Sequence, residues 1–234
     1  MKTILIQGAL EREYNEFVNF YKPYKTENVG GFKFYIAKYK HVKIIISETQ
    51  IGIINASAAT TIGILKYKPD VVICQGTSGS ALENLNQGEI IVADSVVYIN
   101  CFKQIMKSKG EGSNSLEWKP SKKRSYAIDT SEELLNIAKE MTDSDYRYKV
   151  ARLGSGDIFT REYDRIKYLQ KTFGHVAEDM ETAASYKICE DFNVKHISFR
   201  VISNNELVGQ EFDEIYAKEV QFFTIKFIDK LISK

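Results

Sequence analysis

Short apolar runs that end at glycines and alternate with helical stretches constrain this sequence more than any other feature. Residues 3–7 (TILIQ) form such a run before Gly8, and the stretch after it repeats its apolar residues at helical spacing. The same alternation continues along the chain. It predicts an α/β fold, here a single domain over residues 1–234 with a central mixed, twisted β-sheet flanked by helices.

The elements of this fold can be placed from the hydrophobic pattern and the turn residues. A β-hairpin is predicted where FKFYIAKY and VKIIISE flank the polar pair Lys40-His41. The run VVICQGTSGSA is predicted to be a buried strand that leads into a turn of glycine, threonine and serine. Further strands are predicted for GEIIVADSVVYI, residues 148–153 and HISFRVIS, and helices for residues 10–21, 55–67, 130–138, 161–170, 180–192 and 213–232.

Residues 100–128 show neither the alternation of apolar and polar residues typical of a strand nor the apolar spacing typical of a helix. They include glycines, a proline, serine-rich pieces and the basic cluster Lys122-Lys123-Arg124. Because strand and helix patterns resume afterwards, we expect a long surface loop within the domain rather than a linker between domains.

Charge and composition exclude several classes of function. The chain has 32 Lys and Arg against 31 Asp and Glu, so it lacks the basic field that gathers nucleic acid or anionic membranes. Its three cysteines are widely spaced, which indicates reduced thiols rather than disulfides or metal ligands. No signal peptide and no apolar run of membrane-spanning length is evident, so a cytoplasmic location is expected.

Polar residues follow four of the predicted strands, at the edge where ligands bind in open α/β sheets. These stretches read GALERE, QGTSGS, GSGDIF and ISNNE, whereas the nucleotide motifs GxGxxG and GxxxxGK[ST] are absent. A fifth segment, AEDMETAA, leads three acids into small residues suited to burial, and a ligand's hydroxyls could partner such buried carboxylates. With only three histidines in the chain, acid and base catalysis would fall to carboxylates.

Six motifs in order resemble the methylthioadenosine/adenosylhomocysteine nucleosidases of the purine nucleoside phosphorylase superfamily. They are IxxxGAxxxE, PDVVICQGTSGS followed by GEIIVAD, SGDxF, EDMETAA, FRVISN and a late FDE. The resemblance implies a nucleoside phosphorylase-like fold and cleavage of the N-glycosidic bond of a purine ribonucleoside. It also implies a part in methionine salvage and a homodimer, with the helix over residues 55–67 in the interface.

The resemblance further implies which residues bind the nucleoside. Glu181 resembles the carboxylate that accepts hydrogen bonds from the 2′ and 3′ ribose hydroxyls. Met180 would pack under the sugar and Phe159 would stack on the purine, while Ile51 and Phe212 would form a wall near the 5′ substituent. The implied substrate-binding residues are Ile51, Thr77, Ser78, Gly79, Phe159, Thr160, Asp179, Met180, Glu181, Ser203 and Phe212.

Glu13 resembles the carboxylate that positions and deprotonates the attacking water in these nucleosidases. The superfamily's phosphorylases instead use arginines in the first glycine turn and in a later strand to hold phosphate. Here Arg12 stands between Glu11 and Glu13, and an acid at the nucleophile site would repel phosphate. Hydrolysis is therefore favoured over phosphorolysis, and it requires no metal and no organic cofactor.

Asn204 departs from the family pattern at a catalytic position. Adenine-specific nucleosidases carry an aspartate there that protonates N7 of the leaving base, and loss of such an acid typically costs ~10²–10⁴ in rate. Asp179 is also one carbon shorter than the usual glutamate. Three alternatives stay open: a 6-oxopurine nucleosidase, since an amide NH₂ can serve O6 and N7; a methylthioadenosine nucleosidase with Glu206 or water as the acid; or a nucleoside-binding protein without turnover.

Overall fold

The computed structural model describes residues 2–121, 126–141 and 146–234. Within these ranges strands and helices alternate as predicted. The strands are β1 (Thr3–Gly8), β2 (Lys25–Val29), β3 (Phe32–Tyr39), β4 (Val42–Glu48), β5 (Val71–Ser80), β6 (Ile90–Tyr98), β7 (Phe102–Lys103), β8 (Lys119–Pro120), β9 (Ala127–Asp129), β10 (Tyr148–Ser155), β11 (Ala177–Asp179) and β12 (Lys195–Asn204). The helices are α1 (Glu11–Tyr21), α2 (Ile53–Tyr67), α3 (Glu132–Lys139), α4 (Tyr163–Phe173), α5 (Thr182–Asp191) and α6 (Ala217–Ser233).

One mixed sheet forms the centre of the molecule, with strands in the order β11-β10-β6-β12-β5-β1-β4-β3-β2 and β9 added beside β6. Strand β1 runs parallel to β4 and β5, and β12 runs parallel to β5 but antiparallel to β6. Strand β11 pairs with both β10 and β5, so β5, β12, β6, β10 and β11 close into a ring. The predicted α/β fold with a mixed central sheet is confirmed, and the ring is an additional feature.

Helices cover the sheet because its central strands are apolar on both faces. Every residue of β1 is buried, as in a strand that lies between two helical layers. Helices α1, α3 and α6 pack on one side, where Phe17, Leu134 and Phe227 join a large hydrophobic cluster. Helices α2 and α5 pack on the other side, around Ala59 and Cys189. Among the described residues, no helix is long and apolar enough to cross a membrane.

The predicted elements occur close to their expected bounds, with differences at the final helix and at two unpredicted strands. The final helix begins at Ala217 rather than at residue 213, because Glu214–Tyr216 form a separate 3-10 turn capped by Asp213. Strand β2 was missed because KTENV is polar and lies at the sheet edge. Strand β11 was missed because a three-residue strand is too short to show alternation.

The turn predicted within QGTSGSA is wrong, since residues 76–80 continue strand β5 and pair with β12 and β11. These small residues allow side chains from other elements to approach the strand closely. A Cβ placed on Gly76 would lie 2.8 Å from Arg200 Nη1 and 2.8 Å from Glu13 Oε1. The glycine therefore makes room for two charged groups beside the strand.

The segment predicted as a long surface loop is partly ordered into secondary structure. Strands β7 and β8 pair with each other, and β9 pairs with β6. Arg165 of α4 anchors the segment, because its guanidinium lies 4.5 Å from the ring centroid of Phe102 and 5.6 Å from that of Trp118, and it donates to Ser115 O at 2.6 Å. The basic cluster Lys122-Lys123-Arg124 lies outside the described residues.

Candidate active site

A cavity of about 400 Å³ opens at the carboxyl ends of β1, β5 and β12, beside β11. Every residue that the sequence proposed for the site lines this cavity except Thr160, which borders an adjoining recess. The cavity is lined by Ala9, Leu10, Arg12, Glu13, Ile51, Thr77, Ser78, Gly79, Phe159, Glu178, Asp179, Met180, Glu181, Ser203, Asn204 and Phe212.

Glu13 lies in the first turn of α1, where the helix leaves backbone N–H groups without helical partners. Its Oε2 accepts from Ala9 N at 3.0 Å and Leu10 N at 3.3 Å. Its Oε1 accepts from Thr77 N and Thr77 Oγ1, both at 2.9 Å. The side chain is 4% exposed, so these donors hold the carboxylate in one orientation at the cavity wall.

Glu181 immediately precedes α5 and lines the same cavity. Its Oε1 accepts from Gly52 N at 3.0 Å, and its Oε2 accepts from Arg200 Nη1 at 3.2 Å. Burial raises the pKa of Glu181 to about 7; Arg200 opposes this rise, and the neighbouring carboxylates Asp179 and Glu13 add to it. A carboxylate has about four acceptor positions, so each oxygen keeps one for a ligand hydroxyl.

Arg200 is the residue of this cluster that the sequence analysis missed. It lies in the middle of β12, is 1% exposed, and forms ion pairs with Glu181 at 3.2 Å and with Asp179 at 3.5 Å. Its Nη1 also donates to Thr77 O at 3.3 Å. The sequence did contain a sign of this role, namely a single charged residue inside the apolar run of β12. A buried guanidinium needs anionic partners, so such a residue points to acids nearby.

The hydrogen bonds of Asp179 are with groups of the protein. Its Oδ1 accepts from Ser155 Oγ and from the backbone N–H groups of Glu181 and Thr182, each at 2.8 Å. These bonds anchor the start of α5, where a carboxylate is also favoured by the helix dipole. Oδ1 is thereby committed to protein donors and fixes the backbone that carries Glu181, whereas Oδ2 has no hydrogen-bond partner among the described residues and lies 3.5 Å from Arg200 Nε.

The mouth of the cavity is apolar. Phe159 and Ile51 are 50% and 46% exposed, and Phe212 is 41% exposed. The guanidinium of Arg12 lies 5.2 Å from the centroid of the Phe212 ring, so the one cation among the described lining residues is held at the rim. Met180 completes this surface from the loop before α5. Such a rim suits an aromatic base and an apolar sugar substituent.

Asn204 ends β12 and is 2% exposed. Its Nδ2 lies 3.4 Å from Glu206 Oε1, and its Oδ1 lies 3.2 Å from Ser203 Oγ. Glu206 is itself held by Arg161, whose Nε donates to Oε2 at 3.1 Å. Because the carboxylate of Glu206 can only accept, it sets the amide nitrogen of Asn204 on its own side. One N–H of that amide stays available to a ligand.

Thr160 lies beside the main cavity, in a recess that it shares with Glu178. Its Oγ1 donates to Glu178 Oε2 at 2.8 Å. Glu178 Oε1 lies 2.9 Å from Nε2 of the fully buried His175. In the sequence, Glu178 is only one of the three acids of AEDMETAA. Nothing in the pattern distinguishes an acid that faces a ligand from one that does not.

Fold and site together define an α/β enzyme for a small ligand that combines a polyhydroxylated part with an aromatic ring. Buried carboxylates supply acceptors for hydroxyls, and the apolar rim supplies a face for the ring. Comparison with known families sharpens this class. The model of the phosphorylase superfamily matches residues 3–233, and the chain belongs to that superfamily.

Individual relatives agree with this assignment. A 5′-methylthioadenosine/S-adenosylhomocysteine nucleosidase of Staphylococcus aureus (strain JH9) is 28% identical over 201 residues, which is 85% of each chain. A solved structure of a futalosine hydrolase mutant from Helicobacter pylori has a TM-score of 0.83 and 26% identity, and the match covers 100% of this chain and 99% of that one. The family resemblance and the nucleoside phosphorylase-like fold predicted from the sequence are confirmed.

A second solved structure is that of a Helicobacter pylori nucleosidase mutant in which asparagine replaces an aspartate. It holds 5′-methylthioadenosine in its active site. It has a TM-score of 0.84 and 25% identity, and the match covers 98% of this chain and 99% of that one. Several homologous structures of this size and fold are therefore nucleosidases.

Proposed function

We propose that this protein hydrolyses the N-glycosidic bond of a purine ribonucleoside and releases the free base and the sugar. The names of its relatives, which are nucleosidases and a futalosine hydrolase, support this reaction. The observation that carries the proposal is the pair of buried carboxylates, Glu13 and Glu181, that line one cavity. Methylthioadenosine, adenosylhomocysteine and futalosine are the first substrates to test.

The reaction passes through a sugar with oxocarbenium character, which carboxylates stabilise. Glu181 accepts hydrogen bonds from the ribose hydroxyls with the acceptor positions that Gly52 and Arg200 leave free. Glu13 orients the attacking water and takes its proton. To bind Glu13, the water must displace one of the donors that the carboxylate already has. The hydroxyl of Thr77 is the most readily displaced, because it can rotate away whereas the three backbone N–H donors are fixed. Asn204 donates a hydrogen bond to the leaving base, which departs as an anion and takes its proton from water.

Water is favoured over phosphate as the nucleophile because the cavity is acidic. Glu13, Glu178, Asp179 and Glu181 line it, and the buried guanidinium of Arg200 is already paired with two of these carboxylates. A phosphate dianion would meet net negative charge at this wall. Phosphorolysis is therefore not favoured.

The proposal is tested by incubating the purified protein with the three candidate substrates, adenosine and inosine, with and without phosphate, and measuring the free base. Base release that does not depend on phosphate is expected. Release that requires phosphate would instead make the protein a phosphorylase, and binding without any release would make it a nucleoside-binding protein.

We also propose that the protein is a cytoplasmic homodimer. The apolar side chain of Ile54 at the start of α2 is 80% exposed and lies next to Ile51 at the cavity mouth, which supports an interface there. Sedimentation equilibrium should give twice the chain mass, and Ile54→Glu should shift the protein to monomer. A place in methionine salvage depends on methylthioadenosine being a substrate.

A further inference from the structure

A narrow recess extends from the main cavity behind Phe159. Its volume is about 30 Å³, which is room for one or two atoms at the edge of a ring but not for the ring itself. Phe159, Glu178 and Asn204 line both the recess and the main cavity. A base that stacks on Phe159 therefore turns one edge toward the recess.

The strand register places two polar side chains on either side of that edge. Gly79 of β5 pairs with Glu178 of β11 on one side and with Asn204 of β12 on the other. With neighbouring strands ~4.8 Å apart, the Cα atoms of Glu178 and Asn204 are separated by roughly 10 Å. At this spacing the two side chains reach different atoms of one purine edge. Gly79 leaves the floor between them open, since a Cβ there would lie 3.2 Å from Asn204 Nδ2.

Glu178 is held as a hydrogen-bond acceptor. Thr160 donates to one of its oxygens and His175 Nε2 lies 2.9 Å from the other, and the carboxylate side chain is 11% exposed. His175 Nδ1 is buried without a hydrogen-bond partner in the described part of the chain. Because a carboxylate only accepts, His175 Nε2 is the donor in this contact. Each oxygen of Glu178 keeps an acceptor position for a ligand.

Adenine and 6-oxopurines present opposite groups to such a pair of residues. N1 of adenine is an acceptor, whereas N1 of a 6-oxopurine carries a hydrogen, and O6 accepts where the 6-amino group of adenine donates. A carboxylate that faces N1 repels adenine and accepts from the 6-oxopurine. The amide N–H of Asn204 that Glu206 leaves free can donate to O6 and N7 of the 6-oxopurine as a shared hydrogen bond, since both are acceptors on the same edge.

We propose that Glu178 determines base specificity: it accepts a hydrogen bond from N1–H while the free N–H of Asn204 is shared between O6 and N7, so the substrate is a 6-oxopurine ribonucleoside. This inference rests on the proposed nucleosidase function for its kinetic consequences. Its consequence for binding of the free base is independent of turnover.

The test compares the wild type with Glu178→Gln, whose side chain has the same shape and can still accept from His175. Calorimetry with hypoxanthine and adenine gives base affinity, and kcat/KM for inosine and adenosine, which share one sugar, gives substrate preference. The wild type should prefer hypoxanthine and inosine. Glu178→Gln should reduce that preference about 10- to 100-fold, the effect expected for losing a charged hydrogen bond. Glu190→Gln, an exposed acid on α5, is the matched control and should keep it.

A second variant guards against a folding defect in the first. Thr160→Val removes only the hydroxyl that holds Glu178, so it should lower the hypoxanthine preference by less than Glu178→Gln does. A wild type that prefers adenine, or a preference that neither variant changes, overturns the inference. A wild type that prefers hypoxanthine, and loses that preference in Glu178→Gln, but releases no base from any nucleoside overturns the proposed function instead and leaves the role of Glu178 supported.

Discussion

At the scale of single residues, Glu13 carries the proposed activation of water. Glu13→Gln keeps the size of the side chain and removes its basicity, so kcat should fall by about 10²–10⁴ while KM changes little. Steady-state rates of base release measure this. Glu11→Gln alters an exposed neighbour on the same helix turn and should retain full activity. An equal loss in both variants would place the general base elsewhere.

The proposed contact of Glu181 with the ribose should make nucleoside binding dependent on pH. Its pKa is raised to about 7 by burial, so the carboxyl is largely protonated below that pH and ionised above it. Only the ionised form offers acceptors to both ribose hydroxyls without a competing proton. Affinity for a non-reactive nucleoside should therefore increase as pH rises from about 6 to 8, and then level off. Calorimetric titration checks this, and Glu181→Gln should remove the pH dependence.

In the proposed reaction, the residue at position 204 determines whether a leaving adenine can be protonated. Asn204→Asp introduces a carboxyl beside Glu206, which lies 3.4 Å from the present amide nitrogen. Repulsion between the two acids should raise the pKa of the new carboxyl, so that it carries a proton near neutral pH. The ratio of adenosine to inosine kcat/KM should rise at least tenfold. An unchanged ratio would refute this account of position 204.

At the scale of elements, one helix holds the segment after β6 in place. Arg165→Met on α4 would lose the hydrogen bond to Ser115 and the cation–π contacts with Phe102 and Trp118, while keeping an apolar stem. Emission of Trp118, the single tryptophan of the chain, should shift to longer wavelength. Limited proteolysis should also become faster within residues 102–121.

Lys171→Met is the control for this variant, because it changes an exposed cation on the same helix. It should leave the emission spectrum unchanged. If Arg165→Met also leaves both the spectrum and the proteolysis rate unchanged, Arg165 does not anchor the segment.

How much of the site could be predicted also depends on the element that carries each residue. Glu13 and Glu181 were found because motifs with several fixed positions surround them. Arg200 was not, because its partners come from β5 and from the start of α5, and such distant pairings leave no local pattern. The turn after Gly76 was predicted because glycine and serine are common in turns. In the structure, pairing with β11 and β12 keeps these residues extended instead.

At the scale of the whole molecule, balanced charge conceals a local excess of acid. The chain carries a formal charge of +1, yet four carboxylates line one cavity. Composition alone excluded polyanion binding but could not locate this excess, because location depends on which strand ends meet. The alternation of elements did predict the fold class, since that property depends on pattern along the chain and not on particular contacts.

The ring of strands also has a consequence for the order in which the protein becomes functional during synthesis. Glu13, Asp179 and Glu181 all precede β12 in the chain, whereas their counter-ion Arg200 and the base-facing Asn204 belong to that strand. A nascent chain that ends before residue 195 therefore holds the acids of the site without the charge that neutralises them. Closure of the ring, and with it completion of the cavity wall, therefore requires that β12 has been synthesised.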